Sequence, residues 1–475
     1  MKNDLPDAAA THALDTLLRD QKAAWLRDPY PSWETRAAQL KALRRMLLDN
    51  RDALTEAIQA DFGNRSEEEV LLAEFMLAKE EIGSALRHGK RWMKPQRRNV
   101  NRWLLPARAK VIPQPLGVVG IIVPWNYPVL LAVSPLIGAL AAGNRAMIKM
   151  SELTPRTAAL FERLIAQTFS RDQVAVVNGD AAVAAAFSAL PFDHLLFTGS
   201  TKVGYDVMRA AAGNLTPVTL ELGGKSPVII GPDARFGYAV ESIMLGKTLN
   251  AGQTCVAPDY VLVPRGKEAA FIERARAAIA KLYPDFARNR DFTSIISARH
   301  FERLQRLADE AQAAGAQLHP LSDAASDPQT RRFAPQAVTN APADTTLLQE
   351  EIFGPLLPLV PYDTLDEAIA WINARPRPLS LYLYDDNPAT VERVTRETIA
   401  GGMAVNETLL HLACDSLPFG GVGASGMGAY HGYDGFVTFS KMKPVFTQTR
   451  LNGRGLIVPP YGKRVKALLR LMLKI

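Results

Sequence analysis

Apolar positions along the chain change their spacing several times, and each change marks a different kind of predicted element. From Thr11 to about Trp92 they recur at helical spacing, which predicts a series of N-terminal helices. From Val111 to Asn144 no residue is charged, but prolines and glycines interrupt the run. A membrane-spanning helix needs about 20 apolar residues without such interruption. We therefore interpret this run as a buried strand (118–123), a turn (124–128) and a buried helix that ends near residue 143.

Beyond residue 145, short β-rich segments alternate with helical stretches. In the first series the predicted strands are 145–149, 174–177 and 194–197, and the predicted helices are 154–169, 181–190 and 201–212. In the second series the strands are 218–220, 226–230 and 260–263, with a helix over 236–250. This alternation is typical of doubly wound parallel sheets, so the predicted fold class is α/β.

Charge is concentrated in two basic segments of an otherwise mildly acidic chain. The 475 residues carry a formal net charge of +7, with 55 Lys and Arg against 48 Asp and Glu. Residues 87–110 contain nine basic residues and no acid, and residues 451–475 contain six and no acid. Neither segment has a zinc-finger, RRM or helix-turn-helix signature, so no nucleic-acid partner is expected.

The basic C-terminal tail, 451–475, ends in a stretch that alternates basic and apolar residues at helical spacing from Lys463 onward. Such a helix is too short to cross a bilayer, which needs about 20 residues. We expect it to dock on its own protein, with contact to a membrane surface as the less favoured alternative.

The small number of cysteines excludes two kinds of structural site. Two cysteines in 475 residues exclude a disulfide scaffold and a four-cysteine zinc site, and no metal is expected. The first residues, Met1–Asp4, lack the pattern of a secretory signal, so the expected location is cytoplasmic.

Two glycine-rich motifs match nucleotide-binding patterns only in part. The G-x-G-x-x-G at 421–426 follows Leu-Pro-Phe rather than a strand and opens no clear helix, so we interpret it as a loop that needs positive φ. The segment 223–226 resembles the end of a P-loop, but Thr219 stands where the first glycine belongs. Neither motif supports binding of ATP.

A better anion site is predicted at 197–204, Phe-Thr-Gly-Ser-Thr-Lys-Val-Gly. Here a strand ends, Gly199 permits a tight turn, and a helix begins with Ser200 as its N-cap. Free N–H groups at a helix N-terminus favour an anion such as a pyrophosphate. An ordinary capped turn between strand and helix explains the same residues.

Three further residues carry candidate chemistry, and spacing alone does not decide their roles. Cys255 follows a helix and a loop of small residues, so it is either a buried structural cysteine or an activated thiol. Glu221 lies among apolar residues and glycines, either as a satisfied core acid or as a general base with a raised pKa. Asn126 follows a predicted strand and either caps the next helix or donates to an oxyanion.

These motifs together resemble the aldehyde dehydrogenase superfamily, in family order and spacing. The resemblance is carried by the segments 124–128 (Pro-Trp-Asn-Tyr-Pro), 197–204, 221–227, 252–255, 350–355 (Glu-Glu-Ile-Phe-Gly-Pro) and 418–421. The segment 426–432 resembles the class 3 branch. The segment 253–260 and the basic tail are most similar to bacterial coniferyl aldehyde dehydrogenases.

The resemblance implies a mechanism for aldehyde oxidation. Cys255 is expected to attack the aldehyde as the nucleophile, and the side chain of Asn126 with the Cys255 N–H is expected to hold the oxyanion. Hydride then leaves the thiohemiacetal to give a thioester, and Glu221 is expected to activate the water that hydrolyses it. Tyr127 is expected to contact the substrate.

The resemblance also implies a nicotinamide cofactor, NAD, with NADP left open by Lys149. The expected cofactor-binding residues are Trp125, Lys149, Glu152, Gly199, Ser200, Gly204, Leu222, Glu351 and Phe353. A carboxylate such as that of Glu152 at the adenosine ribose favours a 2′-hydroxyl over a 2′-phosphate.

The implied architecture has two doubly wound domains and a small β element. Residues 1–100 and 115–217 are expected to form the cofactor-binding domain with its N-terminal helices, and 218–415 the catalytic domain. Segments 101–114 and 430–450 are expected to bridge the subunits of a homodimer. The expected substrate is coniferyl aldehyde or another aromatic or hydrophobic aldehyde. A fatty or medium-chain aldehyde, or a catalytically silent binding or structural protein, are the alternatives.

Overall fold

The computed structural model describes residues 8–456 and 458–473. Its α-helices are α1 (Ala8–Arg27), α2 (Trp33–Asp49), α3 (Arg51–Phe62), α4 (Glu67–Val70), α5 (Leu77–Trp92), α6 (Leu130–Ala142), α7 (Pro155–Thr168), α8 (Ala181–Ser188), α9 (Thr201–Ala212), α10 (Phe236–Thr248), α11 (Glu268–Leu282), α12 (Ala298–Ala313), α13 (Thr346–Gln349), α14 (Leu365–Asn373), α15 (Pro388–Glu397), α16 (Gly432–Thr438) and α17 (Lys463–Leu473). A π-helical turn covers Leu71–Met76, and short 3₁₀ turns cover Arg102–Leu104, Leu249–Gly252, Leu410–Ala413 and Arg454–Leu456.

The strands form three sheets. They are β1 (Gln96–Arg98), β2 (Arg108–Pro115), β3 (Val118–Ile122), β4 (Arg145–Lys149), β5 (Val174–Val177), β6 (His194–Thr198), β7 (Val218–Glu221), β8 (Pro227–Ile230), β9 (Tyr260–Pro264), β10 (Gln317–Pro320), β11 (Gln336–Thr339), β12 (Leu356–Tyr362), β13 (Ser380–Tyr384), β14 (Gly402–Val405), β15 (Gly426–Met427) and β16 (Ser440–Thr447). The first sheet has the order β15-β7-β6-β3-β4-β5, the second β10-β11-β12-β9-β8-β13-β14, and the third β1-β2-β16.

Two of these sheets are parallel except at one edge, which confirms the predicted α/β class. In the first sheet only β15 runs antiparallel to its neighbour, and in the second only β10 does. The third sheet is antiparallel throughout, with β16 paired to β2 along eight residues from Ser440 to Thr447.

The charge-free run forms the centre of the first domain, as its apolar pattern predicts. Every residue of β3 and of α6 is buried, so both elements lie inside the layers and need no polar face. Gly143, with φ of 92°, ends α6 in the left-handed conformation that glycine adopts without steric penalty. No helix within the described ranges is long and apolar enough to cross a membrane.

Strand pairing differs from the expected domain boundaries at two places. The strand β7, expected to open the catalytic domain at residue 218, pairs with β6 and belongs to the first sheet. The strand β1, expected within the first domain, pairs with β2 in the small sheet. The short β15 joins the first sheet through β7. Hydrogen bonds between strands decide membership, and apolar spacing along the chain does not report them.

The helix α10 and the basic tail each have a feature that helical spacing does not report. The helix α10 ends at Thr248 rather than 250, because Asn250 and Ala251 have φ of 50° and 52°. The basic tail does form a helix, α17, in which Val465 is buried while Leu471 is 70% exposed. The helix therefore presents one side to the protein and leaves apolar side chains on the other.

Candidate active site

Four of the predicted site residues lie at the carboxyl ends of neighbouring strands in the first sheet. Lys149 ends β4 and Glu221 ends β7, while Asn126 follows β3 and Gly199 follows β6. The strands β3 and β6 are adjacent although β4 and β5 separate them in sequence, so the order of winding reverses between them. Doubly wound sheets bind ligands beyond the strand ends at such a switch point. The topology thus gathers these residues at one edge.

The chain then crosses from Glu221 to the second sheet, where Lys225 joins three of the motifs. Its ammonium group is bonded to the carboxylate of Asp259 and donates to the carbonyl oxygen of Glu350 at 2.9 Å. The other carboxylate oxygen of Asp259 accepts from the N–H of Ile352 at 3.0 Å. Because Lys225 is committed to these partners, it serves as a structural tie rather than as a P-loop lysine.

Cys255 follows a bend whose backbone is strained. Residues 250–252 have φ of 50°, 52° and 76°, a conformation unfavourable for the two that are not glycine. The side chain of Gln253 stabilises the bend, because it donates to the carbonyl of Ser294 and accepts from the N–H of Ile296. The residue Cys255 is intermediate in its solvent exposure, so part of it remains accessible.

The surroundings of Cys255 hold its thiol in the protonated form at rest. Burial raises the pKa of the thiol to about 12, and the carboxyl groups of Glu351 and Glu221 add to the shift. The N–H groups of Cys255 and Val256 act in the opposite direction, because they donate toward the sulfur. Two backbone donors therefore already face the atom that would carry negative charge.

Glu221 is a buried carboxyl group with no hydrogen-bond partner in the described part of the chain, and this favours the general-base interpretation over a satisfied core acid. Its side chain is 3% exposed, and neither oxygen has a hydrogen-bond partner within the described residues. Burial raises its pKa well above the ordinary value, since the charged form is poorly solvated. The loop at 421–426 supports its strand, because Gly426 pairs with Glu221 and has φ of 135°.

Asn126 does not cap the following helix. The N–H groups of Val129 and Leu130 at the start of α6 instead donate to the carboxylate of Glu74. The side-chain amide of Asn126 donates to the carbonyl of Gln253 at 3.1 Å, two residues before the cysteine. An amide has two N–H donors, so the second remains for a ligand. The neighbouring Tyr127 hydroxyl is bonded to Thr254 at 2.7 Å.

Aliphatic and aromatic side chains surround the thiol. We call this set the apolar cluster; its members other than Cys255 are Leu249, Val256, Leu379, Leu409, Leu412 and Phe419. Phe419 stacks on His431 with ring centroids 5.0 Å apart. A cluster of this composition favours a hydrophobic ligand at the thiol.

The predicted anion site has the expected geometry. The Ser200 side chain accepts from the N–H of Val203, which makes it the N-cap of α9. A methyl group on Gly204 would lie 2.7 Å from Leu222, so glycine lets the first turn of α9 pack closely against that residue. Lys149 is buried and donates to the carbonyl of Met150, whereas Glu152 is exposed. A dinucleotide fits these groups, since the helix terminus offers free N–H donors near the switch point.

Glu351 and Phe353 belong to a second group of predicted cofactor residues. Burial raises the pKa of Glu351 to about 8, and its carboxylate lies directly against Gly223. The rings of Phe353 and Trp125 meet edge to face at 5.4 Å, and Trp125 also contacts His300 at 5.2 Å. The structure therefore brings together side chains that are 228 positions apart in sequence.

Two arginines contact the site although no sequence motif marks them. Arg65 donates to the carbonyl oxygen of Asn126, and Arg303 donates to the carbonyl oxygens of Glu351 and Ile352. Arginines in amphipathic helices and loops are common, so only the fold reveals these contacts. No group of His, Cys, Asp and Glu among the described residues is arranged to hold a metal ion.

Comparison with known proteins agrees with this geometry. The family model for the aldehyde dehydrogenase family matches residues 8–445. A protein of Pseudomonas aeruginosa named as a probable coniferyl aldehyde dehydrogenase is 52% identical, covering 96% of this chain and 95% of that protein. A coniferyl aldehyde dehydrogenase of a Pseudomonas species is 45% identical, covering 97% and 96%.

Solved structures give the same result. The substrate-bound AldH of Staphylococcus aureus superposes with a TM-score of 0.91 at 39% identity, covering 97% of this chain and 99% of that one. A betaine aldehyde dehydrogenase from the same species, in complex with NAD+, superposes with a TM-score of 0.84 at 25% identity, covering 95% and 90%. Family match, sequence identity and fold together establish that this chain belongs to the aldehyde dehydrogenase family and is a nicotinamide-dependent aldehyde dehydrogenase.

Proposed function

We propose that this enzyme oxidises a hydrophobic, aromatic aldehyde such as coniferyl aldehyde to the free acid, with Cys255 as the nucleophile. The observation that carries the substrate class is the apolar cluster around the thiol, which offers aliphatic and aromatic contacts. The names of the most similar relatives support the same choice.

The first half of the reaction is acylation of Cys255. The Cys255 thiol releases its proton to solvent water, the thiolate sulfur attacks the aldehyde carbon, and the carbonyl oxygen becomes an oxyanion in the resulting thiohemiacetal. The second N–H of the Asn126 amide and the N–H of Cys255 stabilise that charge, and donors fixed before the reaction need no reorganisation. A nicotinamide cofactor held at the Ser200 helix terminus would supply the hydride acceptor that this oxidation to a thioester requires.

The second half is hydrolysis by Glu221. Its carboxylate takes a proton from water, and the hydroxide attacks the thioester carbon. The proton then passes from Glu221 to the departing sulfur, so that the acid and the free thiol are released. Since neither carboxylate oxygen has a hydrogen-bond partner among the described residues, the group is free to hold that water. A base with a raised pKa is the stronger base, which suits this step.

For the cofactor we propose NAD rather than NADP. The helix terminus at Ser200 and Gly204 would hold the pyrophosphate, with Leu222 bordering the nicotinamide. Lys149 and Glu152 follow β4, where the adenosine ribose of a dinucleotide is expected. The exposed carboxylate of Glu152 disfavours a 2′-phosphate by repulsion.

We also propose a homodimer bridged by the small sheet. The strand β16 is the last strand of that sheet in the described part of the chain, and its Phe446 is 51% exposed. An unpaired edge with exposed apolar side chains favours pairing with a second copy.

The mechanism is tested by a single-turnover measurement on Glu221→Gln. We expect one NADH per subunit in a rapid burst, followed by turnover slowed about 10²–10⁴-fold, because a missing general base stalls deacylation. Cys255→Ala should give no burst and a normal fold by circular dichroism. Equal slowing of every step in Glu221→Gln, with no trapped thioester, would contradict the role of Glu221.

The substrate class is tested by an aldehyde panel with each cofactor. We expect kcat/KM to be highest for cinnamaldehyde-type substrates, coniferyl aldehyde among them. An advantage of about tenfold or more for aliphatic aldehydes, equivalent to about 1.4 kcal/mol, would instead assign a fatty or medium-chain substrate. Activity retained in Cys255→Ala would place the nucleophile elsewhere.

A further inference from the structure

A buried arginine connects the N-terminal helices to the active site. Arg65 is 1% exposed. Its guanidinium group donates to Glu69 at 3.0 Å, to Glu74 at 3.1 Å and to the backbone carbonyl of Asn126 at 3.0 Å. Arg65, Glu69 and Glu74 form what we call the buried triad. It is the guanidinium of this triad that contacts the residue carrying the oxyanion amide.

Aromatic rings hold the guanidinium of Arg65 in place. Its central carbon lies 4.9 Å from the ring centroid of Phe62 and 4.8 Å from that of Tyr127. A planar cation between aromatic faces has little freedom to rotate. The direction of its N–H groups toward Asn126 is therefore well defined.

The two carboxylates of the buried triad accept hydrogen bonds from backbone N–H groups of two further segments. Glu69 accepts from the backbone N–H of Asn250 at 2.9 Å, at the strained bend before Cys255. Glu74 accepts from the N–H groups of Val129 and Leu130 at 2.8 and 3.1 Å. The buried triad thus contacts both segments that build the proposed oxyanion site, the one with Asn126 and the one with Cys255.

The bend and Asn126 also contact each other. The side chain of Asn250 donates to the backbone carbonyl of Asn126 at 3.0 Å and to the carbonyl of Gln253 at 3.1 Å. The carbonyl of Asn126 therefore accepts from Arg65 and from Asn250 together. A peptide unit held by two donors fixes the position of the Cα from which the Asn126 side chain extends.

The local sequence explains how both carboxylates reach Arg65. Glu69 lies in α4, and Glu74 lies in the π-helical turn Leu71–Met76 that follows. In a regular α-helix, side chains five positions apart diverge by about 140°. The wider π turn brings Glu74 back toward the side of Glu69, and such turns are frequent at functional sites.

Stability alone is a poor explanation for the triad. Taking a charge out of water costs several kcal/mol per ion, and apolar side chains of similar volume often stabilise a protein as well or better. A positional role explains why three ionisable groups occupy the interior here.

We propose that Arg65 is a positioning residue for acyl transfer, acting through the backbone carbonyl of Asn126 to aim the Asn126 amide at the oxyanion. This inference rests on the proposed function, since it gives Asn126 the oxyanion role. A small misorientation of such a donor lowers the rate without removing substrate contacts.

A double-mutant cycle between Arg65 and Asn126 tests this. Arg65→Lys keeps the charge, but an ammonium group cannot reach all three partners at once. We expect kcat to fall about tenfold or more, with KM for the aldehyde and for NAD+ changed less than about twofold. In the Asn126→Ala background the same change should lower kcat by less than about twofold, because the amide to be aimed is gone.

The control is Arg36→Lys. Arg36 is equally buried and donates to the carbonyls of Pro31, Ala141 and Ala142, at the far end of α6 from the site. We expect Arg36→Lys to lower the melting temperature, with the same small effect on kcat in both backgrounds. A merely structural role for Arg65 would reproduce this control.

The outcomes are distinct. The inference is overturned if Arg65→Lys leaves kcat unchanged. It is also overturned if the double variant loses kcat by the product of the two single losses. Either result leaves the proposed function intact. A wild-type rate in Asn126→Ala overturns both, because Asn126 is then not the oxyanion donor. Should Arg65→Lys fail to fold, Glu69→Gln, which keeps the size of the side chain, replaces it in the cycle with the same expected coupling.

Discussion

The clearest prediction concerns Asn126→Ala, in which catalysis and stability should separate. The Asn126 side chain makes one described hydrogen bond, to the carbonyl of Gln253. That carbonyl also accepts from Asn250 at 3.1 Å, so truncation leaves no buried acceptor unpaired. The loss of stability should therefore be that of one ordinary hydrogen bond, about 0.5–1.5 kcal/mol. For a chain of this size that lowers the melting temperature by less than about 4 °C.

Catalysis should suffer more. Removing one donor from an oxyanion site typically raises the barrier by about 2.7–4 kcal/mol, a loss of about 10²–10³ in kcat. The assay is NADH formation at saturating aldehyde and NAD+, alongside calorimetry on the same preparation. The barrier should thus rise by more than the folding free energy falls.

Asn144→Ala is the matched control, because Asn144 is buried and structural. Its side-chain oxygen accepts from the N–H groups of Leu116 and Gly117, and its amide donates to the carbonyls of Ala139 and Phe439. Truncation leaves several buried backbone groups unpaired, at about 1–3 kcal/mol each. We expect the reverse pattern, with a large fall in melting temperature and a small change in kcat.

A loss of kcat below tenfold in Asn126→Ala would refute the oxyanion assignment.

Two further predictions concern carboxyl groups. In Gly223→Ala the new methyl group would overlap the Glu351 carboxylate. We therefore expect KM for NAD+ to rise about tenfold, as for the loss of one charged hydrogen bond. The control is Gly213→Ala, which should leave KM for NAD+ unchanged because its methyl group would lie 3.4 Å from its nearest neighbour. Burial raises the pKa of Glu221 in the folded protein above its unfolded value of 4.5. As the pH rises above 4.5, the unfolded chain loses this proton while the folded protein keeps it, so the wild type loses folding free energy. The melting temperature of Glu221→Gln relative to wild type should therefore increase from about pH 5 to pH 8, and a constant difference would contradict the buried, unpaired state of the carboxyl group.

Much of the fold follows from local patterns that the chain itself carries. The charge-free run 111–144 predicts a buried strand and helix because no polar face is available, and that is how β3 and α6 are built. Ser200 is predicted as an N-cap because a side-chain oxygen next to a helical pattern can accept from the helix N–H groups, and it does accept from Val203. Such features depend on a few neighbouring residues, so spacing reports them.

The roles of the active-site residues could not be predicted from sequence spacing alone. Cys255, Glu221 and Asn126 each had two interpretations from the residues alone, and the resemblance to a family selected one. The structure adds a physical reason for the choice. It leaves both oxygens of Glu221 unpaired within the described residues, and it assigns the capping of α6 to Glu74 rather than to Asn126.

The sequence by itself determined the alternation of strands and helices and the candidate chemistry. Only the tertiary structure decided that β7 pairs with β6, and that Arg65 reaches Asn126 across 61 positions of sequence. The physical reason is the range of the interactions. Periodicity and capping act within one or two turns of a helix, whereas strand pairing and buried ion pairs join residues that only the folded chain brings into contact.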